Sequence, residues 1–224
     1  MKKLYVVGSS SEVALSIQKL FKKEWTTTFY GRSNPHGFTN FVEYPGVEDE
    51  KSVELLKNSI IEDLMKTKGL EETALIILAG ISSNDWRLSY YVNEYLPAII
   101  SDGFAKSASQ IDLANRSIVL VGSSGAYQGA KLPYAATKAS LTGILHTISR
   151  DYKEKVRINI VLPSAFDSGM ISDWDERKRK QVSEANYIGR LGSPGDMADA
   201  ILFAVRNRFV TNSTINMTGG TVHI

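Results

Sequence analysis

The sequence contains no cysteine, which excludes disulfide bonds, thiolate metal sites and cysteine nucleophiles. It also lacks any apolar run close to the ~20 residues that a membrane-spanning helix needs. The short apolar run at the N-terminus stops at Gly8, which is followed by serines and not by a cleavage pattern. We therefore expect a cytoplasmic protein without a signal peptide and without membrane contacts.

Neither sign of charge is in excess. The 224 residues include 26 basic and 24 acidic side chains, for a net charge of +2. A basic run at residues 177–180 follows three acidic residues, and we interpret it as a solvated helix face. The charge therefore predicts no binding to nucleic acid. The three histidines lack the spacing of metal ligands, so the sequence predicts no metal site.

Short apolar runs alternate with helical patterns along the chain. The apolar runs predict strands at residues 4–7, 25–30, 38–43, 74–78, 117–121, 156–162 and 213–217. Apolar residues at helical spacing predict helices at residues 13–21, 50–67, 86–113, 134–152, 170–188 and 194–207. Strands that alternate with helices form a parallel sheet covered on both faces. We predict a single α/β domain over residues 1–224, with a doubly wound, Rossmann-type parallel sheet and a ligand crevice at the carboxyl ends of its strands.

The first turn, with the sequence GSSSEVA from Gly8, lies between a predicted strand and a predicted helix. Such a turn can bind a dinucleotide when its N–H groups and the helix N-terminus face the pyrophosphate. Gly8 permits the tight turn, and the serine hydroxyls can donate to phosphate or cap the helix. A capped helix without any ligand explains these residues equally well.

The residues after the second strand bear on the choice of nucleotide. An acidic residue there accepts a hydrogen bond from the ribose 2′-OH of NAD(H), whereas arginine pairs with the 2′-phosphate of NADP(H). The sequence has Arg32 in this turn and no Asp or Glu. Because a guanidinium fork suits phosphate, we predict NADP(H) in preference to NAD(H), which stays possible. The alternative is a surface arginine without a ligand.

Tyr134 and Lys138 are four residues apart in a predicted helix and therefore share one face. A phenol, with an ordinary pKa of about 10, is protonated at neutral pH. A nearby ammonium favours the phenolate and lowers that pKa, so the pair can act as a general acid and base. The alternative is an amphipathic helix with a snorkelling lysine.

The segment YAATK resembles the Tyr-x-x-x-Lys motif of the short-chain dehydrogenase/reductase family, and the likeness covers essentially the whole chain. The strand that ends near Ser123 resembles the one that carries the family's catalytic serine, with Ser124 as the second candidate. Asn93 lies in the long central helix, where the family has an asparagine. The resemblance thus implies a catalytic set of Asn93, Ser123, Tyr134 and Lys138.

The resemblance also implies where a nicotinamide cofactor would bind. Gly8 matches the first glycine of the family's nucleotide turn, while Glu12 and Ala14 occupy the other two glycine positions. We expect Glu12 to point away, because its carboxylate would repel phosphate. Ser164 replaces the glycine of the family's Pro-Gly pair. The predicted cofactor contacts are Gly8, Ser10, Ser11, Glu12, Val13, Arg32, Ala79, Gly80, Tyr134, Lys138, Pro163 and Ser164.

By this resemblance the protein is an oxidoreductase for a small-molecule substrate. Tyr134 would exchange a proton with a carbonyl or alcohol oxygen, and Ser123 would orient that oxygen. Lys138 would hold the nicotinamide ribose, and Asn93 would position a water molecule. Residues 168–187 stand where the family has its substrate lid, and their polar character predicts a polar substrate such as a sugar derivative.

Two other functions stay open. The incomplete glycine turn favours an inactive nucleotide-binding sensor or partner protein on the same fold. A third possibility is an epimerase or dehydratase with tightly held nicotinamide, although such relatives usually carry a larger substrate domain. The family commonly pairs through the helices predicted here at residues 86–113 and 134–152, so we expect a homodimer or homotetramer.

Overall fold

The computed structural model describes residues 1–221, without the side chain of Met170. Its strands are β1 (Lys2–Val7), β2 (Trp25–Gly31), β3 (Phe41–Glu43), β4 (Glu72–Ile77), β5 (Asn115–Val121), β6 (Arg157–Pro163) and β7 (Ser213–Met217). They form one seven-stranded sheet in the order β3-β2-β1-β4-β5-β6-β7, and every neighbouring pair is parallel. The predicted α/β fold with a doubly wound parallel sheet is confirmed.

Helices cover both faces of the sheet. They are α1 (Glu12–Phe21), α2 (Glu50–Lys66), α3 (Trp86–Tyr90), α4 (Leu96–Ala108), α5 (Gly125–Gln128), α6 (Leu132–Ala139), α7 (Leu141–Asp151), α8 (Glu176–Ala185) and α9 (Pro194–Arg206). Helices α1 and α9 pack on one face, and α2, α4 and α7 pack on the other. Within the part of the chain that the structure describes, no helix has the length and apolar character needed to cross a membrane.

The apolar runs of the strands follow from this two-sided packing. In β1, Tyr5 and Val7 enter the core under α2 and α4, while Leu4 and Val6 enter the core under α1 and α9. All four side chains are fully buried. A strand that is buried on both faces has no polar face to alternate with, so its sequence is continuously apolar.

The strand order reverses at β1, and this reversal creates a crevice. The chain passes from β1 to β2 and β3 on one side, then crosses back to β4 on the other. Val7 pairs with Tyr30 of β2 and with Ile77 of β4. The turns that follow these residues therefore meet at one edge of the sheet, where open α/β sheets bind their ligands.

Two predicted elements are shorter than the sequence suggested. Strand β3 begins at Phe41, whereas we predicted residue 38. Phe38 is buried in the preceding loop, where its ring stacks on Phe29 with centroids 3.7 Å apart. The helix predicted over residues 170–188 is confined to α8, which begins where the Asp175 carboxylate accepts from the N–H of Lys178 at 2.7 Å.

Two predicted long helices are interrupted. The helix expected over residues 86–113 consists of α3, a π-helical turn (Tyr91–Tyr95) and α4, which ends at Ala108. The helix expected over residues 134–152 is divided into α6 and α7 at Ser140, whose hydroxyl donates to the Thr137 carbonyl at 2.8 Å. Such a bond from a side chain competes with the helical ladder and favours a break.

Candidate active site

The turn after β1 is fixed by a glycine. Gly8 has φ +111°, a backbone conformation that side chains disfavour. Its N–H donates to the Tyr30 carbonyl at 2.8 Å. A Cβ at this position would lie 2.8 Å from the backbone N of Ala79. The first turn is therefore held against both neighbouring strands.

Ser9 is a residue of this turn that the sequence analysis did not single out. Its side chain is fully buried, and its hydroxyl donates to the Ser33 carbonyl at 2.8 Å. A Cβ on Gly31 would lie 1.8 Å from the Ser9 hydroxyl oxygen. Ser9 thus joins the first turn to the loop after β2. The only feature of the sequence that indicated this contact was Gly31, the glycine that ends the second strand.

The N-terminus of α1 faces the same edge of the sheet. The Ser11 hydroxyl caps the helix by accepting from the N–H of Ala14 at 3.2 Å. Ser10 and Glu12 are exposed, while Val13 is buried in the core, so that only its backbone can reach a ligand. The first N–H groups of a helix have no partner within the helix, and together with the helix dipole they suit an anion.

Arg32 lies immediately after β2 and is exposed. Its Cδ would be 3.5 Å from a Cβ on Gly46. Burial raises the pKa of the nearby Tyr44, and the positive charge of Arg32 opposes that rise. An exposed guanidinium at this edge of the sheet is available to a phosphate group.

Ser123 and Tyr134 lie next to each other, because a Cβ on Gly125 would be 3.2 Å from the Ser123 hydroxyl oxygen and 3.4 Å from Cε1 of Tyr134. Tyr134 is buried in α6, and burial raises the pKa of its phenol, while the nearby Ser123 hydroxyl opposes the rise. The Ser123 hydroxyl accepts from the N–H of Gly125 at 3.1 Å. Ser124, the second candidate, instead begins α5, where its carbonyl accepts from the N–H of Gln128 at 2.9 Å. The structure therefore brings Ser123 to Tyr134.

Lys138 is buried on the same helix as Tyr134. Its ammonium donates to the Val121 carbonyl at 2.9 Å. Burial lowers the pKa of Lys138 to about 8. We had predicted that this ammonium lowers the pKa of Tyr134, but in the structure the pKa of Tyr134 is raised. Desolvation of the phenol outweighs any effect of an ammonium that is engaged by a carbonyl.

Asn93 and Gly80 complete this cluster. Asn93 is fully buried in the π-helical turn, a feature that is frequent at functional sites. Its side-chain oxygen accepts from the N–H of Ile81, and its side-chain nitrogen donates to the Ile81 carbonyl, both at 2.9 Å. A Cβ on Gly80 would lie 3.1 Å from Nζ of Lys138 and 3.6 Å from Oδ1 of Asn93.

The remaining predicted residues border the same crevice. Ala79, which precedes Gly80, donates its N–H to the Val7 carbonyl at 3.0 Å. The Pro163 carbonyl accepts from the N–H of Ser124 at 2.8 Å. The Ser164 hydroxyl donates to the Thr218 carbonyl at 3.2 Å. Over residues 1–221, no three acidic or histidine side chains are grouped so that they could hold a metal ion.

Taken together, the residues at this edge fit a nicotinamide dinucleotide. At β1 and β2 a glycine turn, a helix N-terminus and an exposed arginine suit phosphate groups. At β4 the Lys138 ammonium lies beside Gly80, which has no side chain to block a ligand, and after β5 the Ser123 hydroxyl and the Tyr134 ring lie together beside Gly125. A buried phenol beside a hydroxyl can transfer a proton to or from a substrate oxygen.

Comparisons with known proteins identify the family to which the chain belongs. A family model described as "Enoyl-(Acyl carrier protein) reductase" matches residues 47–222. The 3-oxoacyl-[acyl-carrier-protein] reductase FabG of Thermotoga maritima is 24% identical over an alignment of 240 positions that covers 97% of this chain and 96% of that protein.

Two solved structures have the same fold. Ligand-free aldohexose dehydrogenase from Thermoplasma acidophilum has a TM-score of 0.84 and 21% identity, with 98% of this chain and 93% of that chain covered. ElxO with NADP bound has a TM-score of 0.82 and 20% identity, with 98% of both chains covered. The chain belongs to the short-chain dehydrogenase/reductase family, and is an oxidoreductase that acts on CH–OH or C=O groups with a nicotinamide cofactor.

Proposed function

We propose that this chain is an NADP(H)-preferring enzyme that transfers hydride between nicotinamide and the carbonyl or alcohol carbon of a small polar metabolite. The observation that carries the proposal is the position of the Ser123 hydroxyl beside the buried phenol of Tyr134, on the helix that also carries the buried Lys138. It puts a proton donor and an orienting hydroxyl at one point of the crevice, which the reduction of a carbonyl group requires.

The roles of the side chains follow from their chemistry. Tyr134 gives its proton to the carbonyl oxygen during reduction and removes one from an alcohol during oxidation. Ser123 hydrogen-bonds that oxygen and so fixes its distance from the phenol. Lys138 carries a positive charge beside Gly80, and Asn93 is the fourth member of the set, which positions a water molecule for proton transfer. When bound, nicotinamide supplies or accepts the hydride.

The cofactor would be held along the edge of the sheet. Arg32 pairs with the 2′-phosphate that distinguishes NADP(H) from NAD(H). Gly80 leaves room beside the Lys138 ammonium, which would hold the ribose hydroxyls. The other proposed contacts are Gly8, Ser10, Ser11, Glu12, Val13, Ala79, Tyr134, Pro163 and Ser164.

The class of substrate is supported by two observations. The names of the two similar enzymes, a 3-oxoacyl-[acyl-carrier-protein] reductase and an aldohexose dehydrogenase, describe the interconversion of C=O and CH–OH groups. In this chain, residues 168–187 follow β6 at the same edge as the site and are rich in charged side chains. Such a segment suits a polar substrate better than an apolar ketone.

For assembly, the proposal is a homodimer or homotetramer in the cytoplasm. Trp86 of α3, Tyr90 of α3 and Leu132 of α6 are 55%, 40% and 69% exposed. Large exposed apolar side chains on neighbouring helices are typical of a surface that another subunit covers. Light scattering coupled to gel filtration tests this point, and a monomer at micromolar concentration would contradict it.

The decisive experiment is a fluorescence titration of wild type and Arg32→Ala with NADPH and with NADH. We expect wild type to bind NADPH more tightly. Loss of a charge-assisted pair with phosphate should weaken NADPH binding in Arg32→Ala by about 10- to 100-fold and leave NADH binding unchanged. Arg150→Ala, an exposed arginine on α7, is the matched control. Equal affinity of wild type for both nucleotides would contradict the preference.

A screen of carbonyl and alcohol substrates then tests catalysis, with Tyr134→Phe as the inactive control. Turnover by wild type that Tyr134→Phe loses would support the proposed acid and base. Nucleotide binding without turnover of any carbonyl or alcohol would favour a sensor on the same fold. Binding of neither nucleotide would favour a scaffold or partner role, with Glu12 in the incomplete glycine turn as the physical reason.

A further inference from the structure

Thr137 lies in α6 between Tyr134 and Lys138, and its side chain is buried. Its hydroxyl donates to the Pro133 carbonyl at 2.7 Å. The same oxygen accepts a hydrogen bond from Nδ2 of Asn93 at 3.3 Å. A hydroxyl has a single hydrogen, so the bond to Pro133 directs the oxygen lone pairs of Thr137 toward Asn93.

These bonds connect three separate parts of the site. The Asn93 amide lies between the loop after β4, represented by Ile81, and helix α6, represented by Thr137. The amide nitrogen of Asn93 has two hydrogens, of which one goes to the Ile81 carbonyl and the other to Thr137. Both donors of a fully buried amide are therefore satisfied, as buried polar groups require.

We propose that Thr137 is a positioning residue that acts through Asn93. The hydroxyl oxygen of Thr137 accepts from the amide nitrogen of Asn93 and so keeps this nitrogen toward α6. The amide oxygen of Asn93 then faces the N–H of Ile81. The inference rests on the proposed function, because it assigns a task within that site.

The loop that Asn93 holds contains Gly80, where a Cβ would lie 3.1 Å from Nζ of Lys138, so the loop backbone runs close to this ammonium. A displacement of the loop would therefore be transmitted to Lys138, because packed interiors have little free volume. Loss of the Thr137 acceptor would leave one buried amide hydrogen of Asn93 without a partner. Rotation of the amide would then release the loop beside Lys138.

Two substitutions separate positioning from packing. Thr137→Val keeps the volume and the branched shape but removes the acceptor. Thr137→Ser keeps the hydroxyl but removes a methyl group. If the hydroxyl positions Asn93, the valine variant is impaired and the serine variant is close to wild type. If the side chain only fills space, the order is reversed.

Three readouts are needed. Loss of a hydrogen bond to a buried amide predicts that kcat of Thr137→Val falls about 10-fold, while KM changes less than about twofold. Exchange of the Ile81 amide hydrogen should become about 10-fold faster, since its acceptor is no longer held. Combined with Asn93→Ala, Thr137→Val should cause little further loss of kcat, because residues that act through one another are not additive.

Thr137→Ser serves as the control for folding and should keep both kcat and the Ile81 exchange rate within about twofold of wild type. Wild-type kcat and Ile81 exchange in Thr137→Val would overturn the proposal, as would additive effects in the double variant. If wild type binds no nucleotide, the proposed function fails, while the placement of Asn93 by Thr137 is still decided by the exchange of the Ile81 amide.

Discussion

The ammonium of Lys138 donates a hydrogen bond to the carbonyl oxygen of Val121, 2.9 Å away, in the buried interior beside Gly80. Among the residues that the structure describes, the Val121 carbonyl is the hydrogen-bond acceptor that stands in for the water around an exposed lysine. Desolvation therefore favours the neutral amine and lowers the pKa of Lys138 from 10.5 to about 8. The free energy of unfolding must then depend on the protonation of this residue.

The sign of this dependence follows from linkage. Between pH 8 and 10.5 the unfolded chain keeps a proton on Lys138 that the folded protein has released, so the stability of wild type rises with pH. Lys138→Met lacks this rise. We expect it to be more stable than wild type at pH 7 by about 1–3 kcal/mol, with the difference shrinking toward pH 10.

Urea unfolding of both proteins at pH 7, 8, 9 and 10 measures the effect. Lys155→Met, in which an exposed lysine is removed, is the control and should follow wild type at every pH. A difference between Lys138→Met and wild type that does not change with pH would contradict the prediction.

The two adjacent serines should differ sharply in their effect on turnover. Ser123→Ala removes the hydroxyl that lies beside Tyr134, and a lost donor at a reacting oxygen lowers kcat by about 10²–10³-fold. Ser124→Ala keeps the backbone hydrogen bonds at the start of α5, so its kcat should stay within about threefold of the wild-type value. Steady-state kinetics on any accepted carbonyl substrate decides between them, and a larger loss in Ser124→Ala would reverse the assignment.

Gly31→Ala should destabilise the protein through one steric conflict. The new methyl group would coincide with the Ser9 hydroxyl, 1.8 Å away, which forces the first turn to shift. Overpacking of this kind costs about 1–3 kcal/mol. Adding Ser9→Gly removes the conflicting atoms, so Gly31→Ala with Ser9→Gly should be no less stable than Ser9→Gly alone in urea unfolding. The absence of such recovery would mean that the conflict involves other atoms.

Arg157, at the start of β6, offers a test of stability away from the crevice. Its guanidinium donates to four carbonyls and one amide oxygen, those of Ala204, Val205, Asn207, Val210 and Asn115. Arg157→Met would remove these hydrogen bonds from buried acceptors, of which the carbonyls of Val205, Asn207 and Val210 keep one other donor each, at a cost of about 2–4 kcal/mol. Because the residue lies at the amino end of its strand, nucleotide affinity should stay unchanged in a titration below the unfolding transition. A parallel loss of affinity would show that the two ends of the sheet are coupled.

The architecture could be predicted from the sequence because strand and helix patterns depend on burial. All seven strands were located, since both faces of the sheet are covered and the strands at its centre, β1, β4, β5 and β6, each contain a run of buried apolar residues. The predicted strand boundaries were less accurate where apolar residues lie in loops. Phe38 is apolar because it stacks on Phe29, and the pattern of apolar residues cannot distinguish such a contact from a strand.

From spacing alone the site was predictable only where its residues are close in the sequence, and the resemblance to a family supplied Asn93 and Ser123. Tyr134 and Lys138 share a helix, so their spacing alone places them on one face. Ser9 and Gly31 meet across two strands, and Asn93 and Thr137 are 44 residues apart, so neither contact has a local signal. The pKa of Tyr134 could not be predicted for a related reason, because desolvation depends on the whole surrounding fold.

The π-helical turn at Tyr91–Tyr95 makes this active site sensitive to chain length. A π-helical turn contains one residue more than the α-helical turn it replaces, and each residue of an α-helix rotates the chain by about 100°. Deleting a single residue here would remove the extra residue of the turn and rotate α3 relative to α4 by about 100°. The same deletion would rotate Asn93 away from Ile81. A one-codon deletion in this stretch would thus cost the site its asparagine, whereas most single substitutions nearby would leave it in place.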